Sequence, residues 1–190
     1  MKTITNIIFL LISFSCIAQN NSQNFERKGF IFGTSIGASY LNLQFEGEQN
    51  QNTVAASFPN FKIGYMISKN TALLLHLPGS VYNYTLSGRQ RDRGFEGIIP
   101  SVQYWNNHNM WFLAGVGISM DAPAFYDIKT EDERKFYFGY GIIASAGYEI
   151  WKKGRFAIDI QARMHYGELK FENLAEKGFA TNILIGLNWN

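Results

Sequence analysis

The sequence predicts an all-β protein, an eight-stranded antiparallel up-and-down transmembrane β-barrel, on three observations. Apolar residues recur at every second position through most of the chain, the period of a strand with two unlike faces. The parity opposite the apolar one is crowded with Gly and Ser, too small to fill the core of a soluble sandwich. Short turn-rich joins alternate with longer polar stretches, the spacing of periplasmic turns and extracellular loops. Composition agrees: 16% aromatic, 18 glycines and only 17% charged residues describe extended chain meeting an apolar environment. A net charge of +2 gives no electrostatic footprint for nucleic acid.

Residues 1–18 read as a signal peptide. Lys2 supplies the positive start, Ile7 to Phe14 the apolar core, and Cys16-Ile17-Ala18 the small residues before a cut at Gln19. The apolar run is too short to cross a bilayer as a helix. Lipid attachment at Cys16 is disfavoured because Ser13 stands where Leu is usual. Cleavage after Ala18 removes the only cysteine, which excludes thiol catalysis, thiolate metal sites and disulfides. Residues 19–28, QNNSQNFERK, read as a polar periplasmic tether, and 29–190 as the barrel.

Eight segments carry the alternation, near 28–43, 55–67, 71–85, 94–105, 110–121, 135–151, 155–167 and 179–190. In the sixth, one parity reads Phe136, Phe138, Tyr140, Ile142, Ala144, Ala146, Tyr148, Ile150; the other reads Tyr137, Gly139, Gly141, Ile143, Ser145, Gly147, Glu149, Trp151. Ser68-Lys69-Asn70, Asn106 to Asn109 and Lys152-Lys153-Gly154 are the short joins, and Gln44–Val54, Leu86–Arg93, Ala122–Arg134 and Glu168–Gly178 the long ones. A soluble sandwich would turn the apolar parity inward. Segment length favours a tilted membrane crossing, which needs about 9–11 residues, over the roughly 5–6 of soluble sheets. Aromatics on the apolar parity also cluster beside the short joins: Phe30, Tyr65, Tyr104, Tyr148, Phe156 and Trp189 form an expected interfacial girdle.

The stretch FPNFKIGYMISKNTALLLHL, the block RGFEGIIPSVQYW and the ending ILIGLNWN resemble segments of outer-membrane β-barrel domain families. Gly186 followed by Trp189 partly resembles the C-terminal assembly signal of such proteins, departing from it in Asn190. Over its whole mature length the chain is similar to the small eight-stranded barrels that include the OmpA transmembrane domain and OmpX. The resemblance implies an integral protein of a Gram-negative outer membrane. Its implied partners are outer-membrane lipids, lipopolysaccharide, the barrel-assembly machinery during biogenesis and a surface protein ligand. A shared fold does not supply a shared activity.

Eight strands enclose a space just wide enough for side chains. The inward polar groups expected there are Lys62, His76, Gln103, Glu149, Asp159, Gln161, Arg163 and His165. Two bases and two acids balance, which reads as a plug of ion pairs rather than a pore lined by one sign of charge. A lipid A-modifying site would need a nucleophile beside His165, but in RMHYGEL Gly167 stands where the resembling deacylases carry Ser. Ser80, Ser87, Ser101 and Ser119 remain without an evident partner, so His165 reads as a network member and no catalytic residue is assigned. No motif calls for a metal or cofactor.

Pro59, Pro78 and Pro100 fall in three consecutive segments, where proline removes a ladder donor. They either mark bulges or leave a lateral gate for a lipid or apolar ligand. Arg89, Arg91 and Arg93 form a basic patch on the second outer loop, suited to anionic lipopolysaccharide. The third outer loop, DIKTEDERK, mixes acids and bases without metal-ligand spacing. The expected function is non-enzymatic: envelope structure or surface interaction through the loops of a plugged barrel. The alternative is a lipid-binding or lipid A-modifying barrel with lateral access at the prolines.

Overall fold

A computed structural model of the chain describes residues 26–45, 51–86, 89–106, 109–128, 134–170 and 175–190. The signal peptide, with Cys16, and most of the tether lie outside the described residues. The strands are β1 (Phe30–Phe45), β2 (Gln51–Met66), β3 (Thr71–Leu77), β4 (Gly79–Leu86), β5 (Arg89–Trp105), β6 (Met110–Pro123), β7 (Tyr137–Lys153), β8 (Phe156–Lys170) and β9 (Ala175–Trp189). β3 and β4 are two halves of one strand interrupted at Pro78, because both pair with β2 on one side and β5 on the other. Each strand pairs antiparallel with its chain neighbour, and β1 closes the ring onto β9. The result is an eight-stranded up-and-down barrel.

Alternation forms these strands and decides their faces. Val54 is 79% exposed and Ile183 69%, with Ile36, Ile63, Leu73, Val116, Ile142 and Ile160 exposed on the same outer surface. Arg163, Asp159, Gln103 and His165 are each 2% exposed or less on the inner one. That is the inverse of a soluble sandwich and suits an apolar solvent outside. Two short joins use left-handed backbone: Gly154 has φ 57° and Asn109 φ 60°, as tight hairpin turns require.

Three expectations need correction. The strands run further out than the apolar pattern: β2 begins at Gln51, β5 at Arg89 and β9 at Ala175. Polar residues on both faces continue the ladder where the strands leave the apolar zone, so the period-two signal fades before the hydrogen bonds do. Arg89, Arg91 and Arg93 therefore lie in β5, registered against Leu86, Tyr84 and Tyr82, and not in a loop. Trp151 is on the outer side, because Ile150 is an extra residue in the ladder and flips the parity beyond it.

The small inner residues make room for large ones. A Cβ at Gly147 would overlap the Trp111 ring, and one at Gly178 the Phe95 ring. Trp105, Trp111, Ile31, Leu74, Ile99 and Ile143 belong to one buried cluster, and Leu41, Leu43, Tyr82, Phe95 and Leu169 to a second. Substitution Gly147→Val should therefore displace Trp111 and lower unfolding stability by about 2 kcal/mol, the usual cost of overpacking. Urea titration of the protein folded in lipid vesicles measures it, and Ala146→Val, on the outer face, should change stability by less than about 0.5 kcal/mol.

Candidate functional site

The interior is where the polar chemistry gathers. All eight side chains expected there are buried: Lys62, His76, Gln103, Glu149, Asp159, Gln161, Arg163 and His165. Their pairing differs from the expected set of mutual ion pairs. Arg163 Nη2 donates to Ser57 Oγ (2.8 Å) and Asn60 Oδ1 (2.7 Å), and Nη1 lies 3.5 Å from His76 Nε2. Lys62 Nζ donates to Gln103 Oε1 (3.1 Å) and sits 4.7 Å from the centre of the Trp111 ring. Asp159 accepts from Trp111 Nε1 (2.8 Å), Asn188 Nδ2 (2.9 Å) and Gln161 Nε2 (2.7 Å). Neutral donors and acceptors, rather than opposite charges, satisfy the middle of the barrel.

Ion pairs stand instead at its two ends. At the inner mouth, Arg27 from the tether donates to Glu149 Oε2 (2.5 Å), and its guanidinium lies 5.0 Å from the Trp105 ring centre. Trp105 Nε1 donates to the other carboxylate oxygen (2.9 Å). Beside it, Lys28 holds the Glu26 carboxyl below its ordinary range by a direct hydrogen bond. At the outer end, Asp121 accepts from Arg93 Nε and Tyr82 Oη, and Arg93 stacks 5.5 Å from the Tyr137 ring centre. Arg93 thus turns inward, away from the basic surface expected of it. The side chain of Arg89 lies outside the described residues, and Arg91 is half-buried.

Next to this outer pair, Ser119 Oγ lies 2.8 Å from His165 Nε2, and Phe95 stacks on the imidazole at 4.6 Å. The contact is that of a nucleophile with a base. It is also packed shut, since Ser119 is fully buried and a Cβ at Gly141 or Gly167 would overlap it. The arrangement satisfies the histidine and leaves no room for an ester. Ser80 bonds to Ser39 (3.1 Å) and Ser101 to the Ile99 carbonyl (2.9 Å); Ser87 lies outside the described residues. Among the described residues no three His, Cys, Asp or Glu side chains group closely enough to hold a metal ion.

The prolines interrupt the ladder. Between β1 and β2 the register passes from Ser35↔Asn60 to Gly37↔Ser57, with Phe58 and Pro59 bulged opposite Ile36. Between β2 and the third strand, pairing stops at Phe61↔Leu77 and resumes only at Ala56↔Val81. Between β5 and β6 it skips from Ile98↔Ile118 to Ser101↔Gly115, around Pro100. Asn60 and Ser57 stitch the opening from inside. Gly79 N–H donates to Asn60 Oδ1 (2.9 Å), Asn60 Nδ2 to the Ser35 and Ser57 carbonyls (3.1 and 2.9 Å), and Ser57 Oγ to the Gly79 carbonyl (3.0 Å).

Of the expected girdle, Phe30, Tyr65, Tyr104, Tyr148 and Phe156 are about half exposed or more beside the short joins, and Phe30 meets Tyr65 edge-on at 5.2 Å. Trp189 is half-buried under Arg155, whose guanidinium lies 4.7 Å from its ring centre.

Sequence reasoning missed Arg27, Ser57 and Asn60. Asn60 shares the parity of Lys62 and was open to the same count. Ser57 was hidden, because the bulge at Phe58-Pro59 reverses which parity points inward. Arg27 precedes the first strand, where no alternation exists to place it. If the Arg27–Glu149 contact closes the inner mouth, Arg27→Ala should cost about 2 kcal/mol, below the full penalty for orphaning a buried charge because Arg27 keeps some exposure. A double-mutant cycle with Glu149→Gln, read by urea unfolding in vesicles, should recover most of that cost as coupling.

No protein-family model and no curated protein matches the sequence. Solved structures do match it. The Ail attachment invasion locus protein of Yersinia pestis superposes with a TM-score of 0.52 at 12% identity, covering 84% of this chain and 99% of that one. Neisserial surface protein A superposes with a TM-score of 0.56 at 14% identity, covering 85% and 96%. With its apolar exterior, polar interior and closed ring of eight strands, the chain has the fold of the small integral outer-membrane β-barrels.

Proposed function

We propose that this chain works as a non-conducting outer-membrane barrel, acting in envelope structure or surface interaction through its outer rim and loops. The observation that supports the reading is a charge pair at each end: Arg27–Glu149 at the inner mouth, Arg93–Asp121 at the outer. Between them Trp105, Trp111, Phe95 and the polar groups are buried, which supports a filled lumen. A plugged interior leaves the surface as the working part. Lipopolysaccharide and envelope lipids are its first partners, with a surface protein ligand for the loops and the barrel-assembly machinery during folding. The related fold of Ail has been crystallised with the heparin analogue sucrose octasulfate, an example of a polyanion held by a barrel of this kind. The aromatic residues beside the short joins act in this reading as the interfacial girdle.

A second reading, lateral access for a lipid or apolar ligand, is favoured by one observation: the ladder gap between Phe61↔Leu77 and Ala56↔Val81. In it Pro59, Pro78 and Pro100 loosen one side of the wall, and Asn60 and Ser57 form the latch.

Reconstitution into planar bilayers tests the first reading. The intact protein should give no discrete conductance steps, and Arg163→Glu should lower unfolding stability without opening a channel; ohmic steps from the intact protein would overturn the plug. Mass spectrometry of outer-membrane lipids, from cells with and without the chain, tests the second. Unchanged lipids are expected, and a gained or lost acyl chain would make the barrel an enzyme.

A further inference from the structure

Pairing inside the barrel leaves a charge imbalance that the sequence count concealed. Lys62, Arg163, Glu149 and Asp159 sum to zero, but Glu149 is taken by Arg27, a base from outside that set. Asp159 bonds only to the neutral groups of Trp111, Asn188 and Gln161 and so keeps its negative charge; with Arg27 counted, three bases face two acids, a surplus of one positive charge. Among the described residues neither Lys62 nor Arg163 makes a salt bridge, although they are 6% and 2% exposed. The Asp159 charge offsets one of these two buried cations, and the other is costly unless a further negative charge accompanies it.

His76 shows where that charge would sit. A guanidinium can only donate, so in its 3.5 Å contact with Arg163 the imidazole Nε2 accepts. The proton of the neutral ring is then on Nδ1. That atom is buried and has no partner among the described residues. His76 stands directly across the ladder from Lys62. Both line a cavity of about 10 Å³, together with Asn60, Trp111 and Gln161, beneath the break in the β1–β2 ladder. Such a space holds one water-sized body. Gly33 also lines it, and a Cβ there would come within 2.6 Å of Lys62 Cε and 2.7 Å of Asn188 Oδ1.

We propose that this cavity is a binding site for one small monovalent anion of halide size, held between the Lys62 ammonium and His76 Nδ1–H. The anion supplies the missing acceptor and offsets the excess positive charge. The volume excludes carboxylates with a tail, phosphate and sulfate. The site is independent of what the outer loops bind and of any lateral access for lipid.

Crystals of the whole protein soaked in bromide test it directly. An anomalous peak in contact with Lys62 and His76 supports the site. A water there with no bromide signal, or bromide only on the surface, overturns it. Solution measurement uses sodium chloride against sodium gluconate at equal ionic strength, with the protein folded in vesicles. Above the dissociation constant, each tenfold rise in chloride should raise the folding equilibrium constant about tenfold, with gluconate inert. Equal stability in the two salts counts against the site. Lys62→Met should abolish the chloride dependence; should that variant fail to fold, bromide diffraction from the unmodified protein still decides.

Discussion

Closure of the backbone ladder is the constraint on which this molecule depends. In hydrocarbon an unpaired N–H or C=O costs several kcal/mol, and only a sheet that returns to its first strand leaves no edge. β1 pairing with both β2 and β9 achieves that. Closing at eight strands then sets the diameter of the interior, which is just wide enough for side chains to fill. The opposition of Gly147 to Trp111 and of Gly178 to Phe95 follows from that diameter, because each large ring needs a neighbour without a side chain.

The same low-dielectric interior governs how polar groups are arranged. Charges pair at the mouths, where Arg27 and Arg93 keep part of their side chains near solvent. In the middle, an indole, three amides and a hydroxyl do the work of counter-charges around Asp159 and Arg163. Where proline removes donors, the interior repairs the wall: Asn60 and Ser57 reach Gly79 and Ser35 across the interruption, and Arg163 holds Asn60 and Ser57 in turn. Ladder and lumen are therefore one network, and the weakest part of the wall is tied to the most buried cation.

The fold was legible in the sequence because a strand's faces repeat with period two, so local composition alone assigns inside and outside over each run. The inward positions of Lys62, His76, Gln103, Glu149, Asp159, Gln161, Arg163 and His165 came from that count. It fails where the count itself is broken. Ser57 and Trp151 lie on the far sides of bulges, and the outer half of β5 carries polar residues on both faces.

By itself the sequence determined the strand number, the direction of each face and the membrane-facing apolar exterior, since these are properties of neighbouring residues. Only the tertiary structure decided who pairs with whom. Arg163 meets Asn60 across 103 residues of chain, and Glu149 meets Arg27 across 122. Such contacts depend on register, shear and closure of the ring, which no short window of residues encodes. Hence four charges that balance on paper become an ion pair of Glu149 with Arg27 at one end and a centre left with one positive charge in surplus.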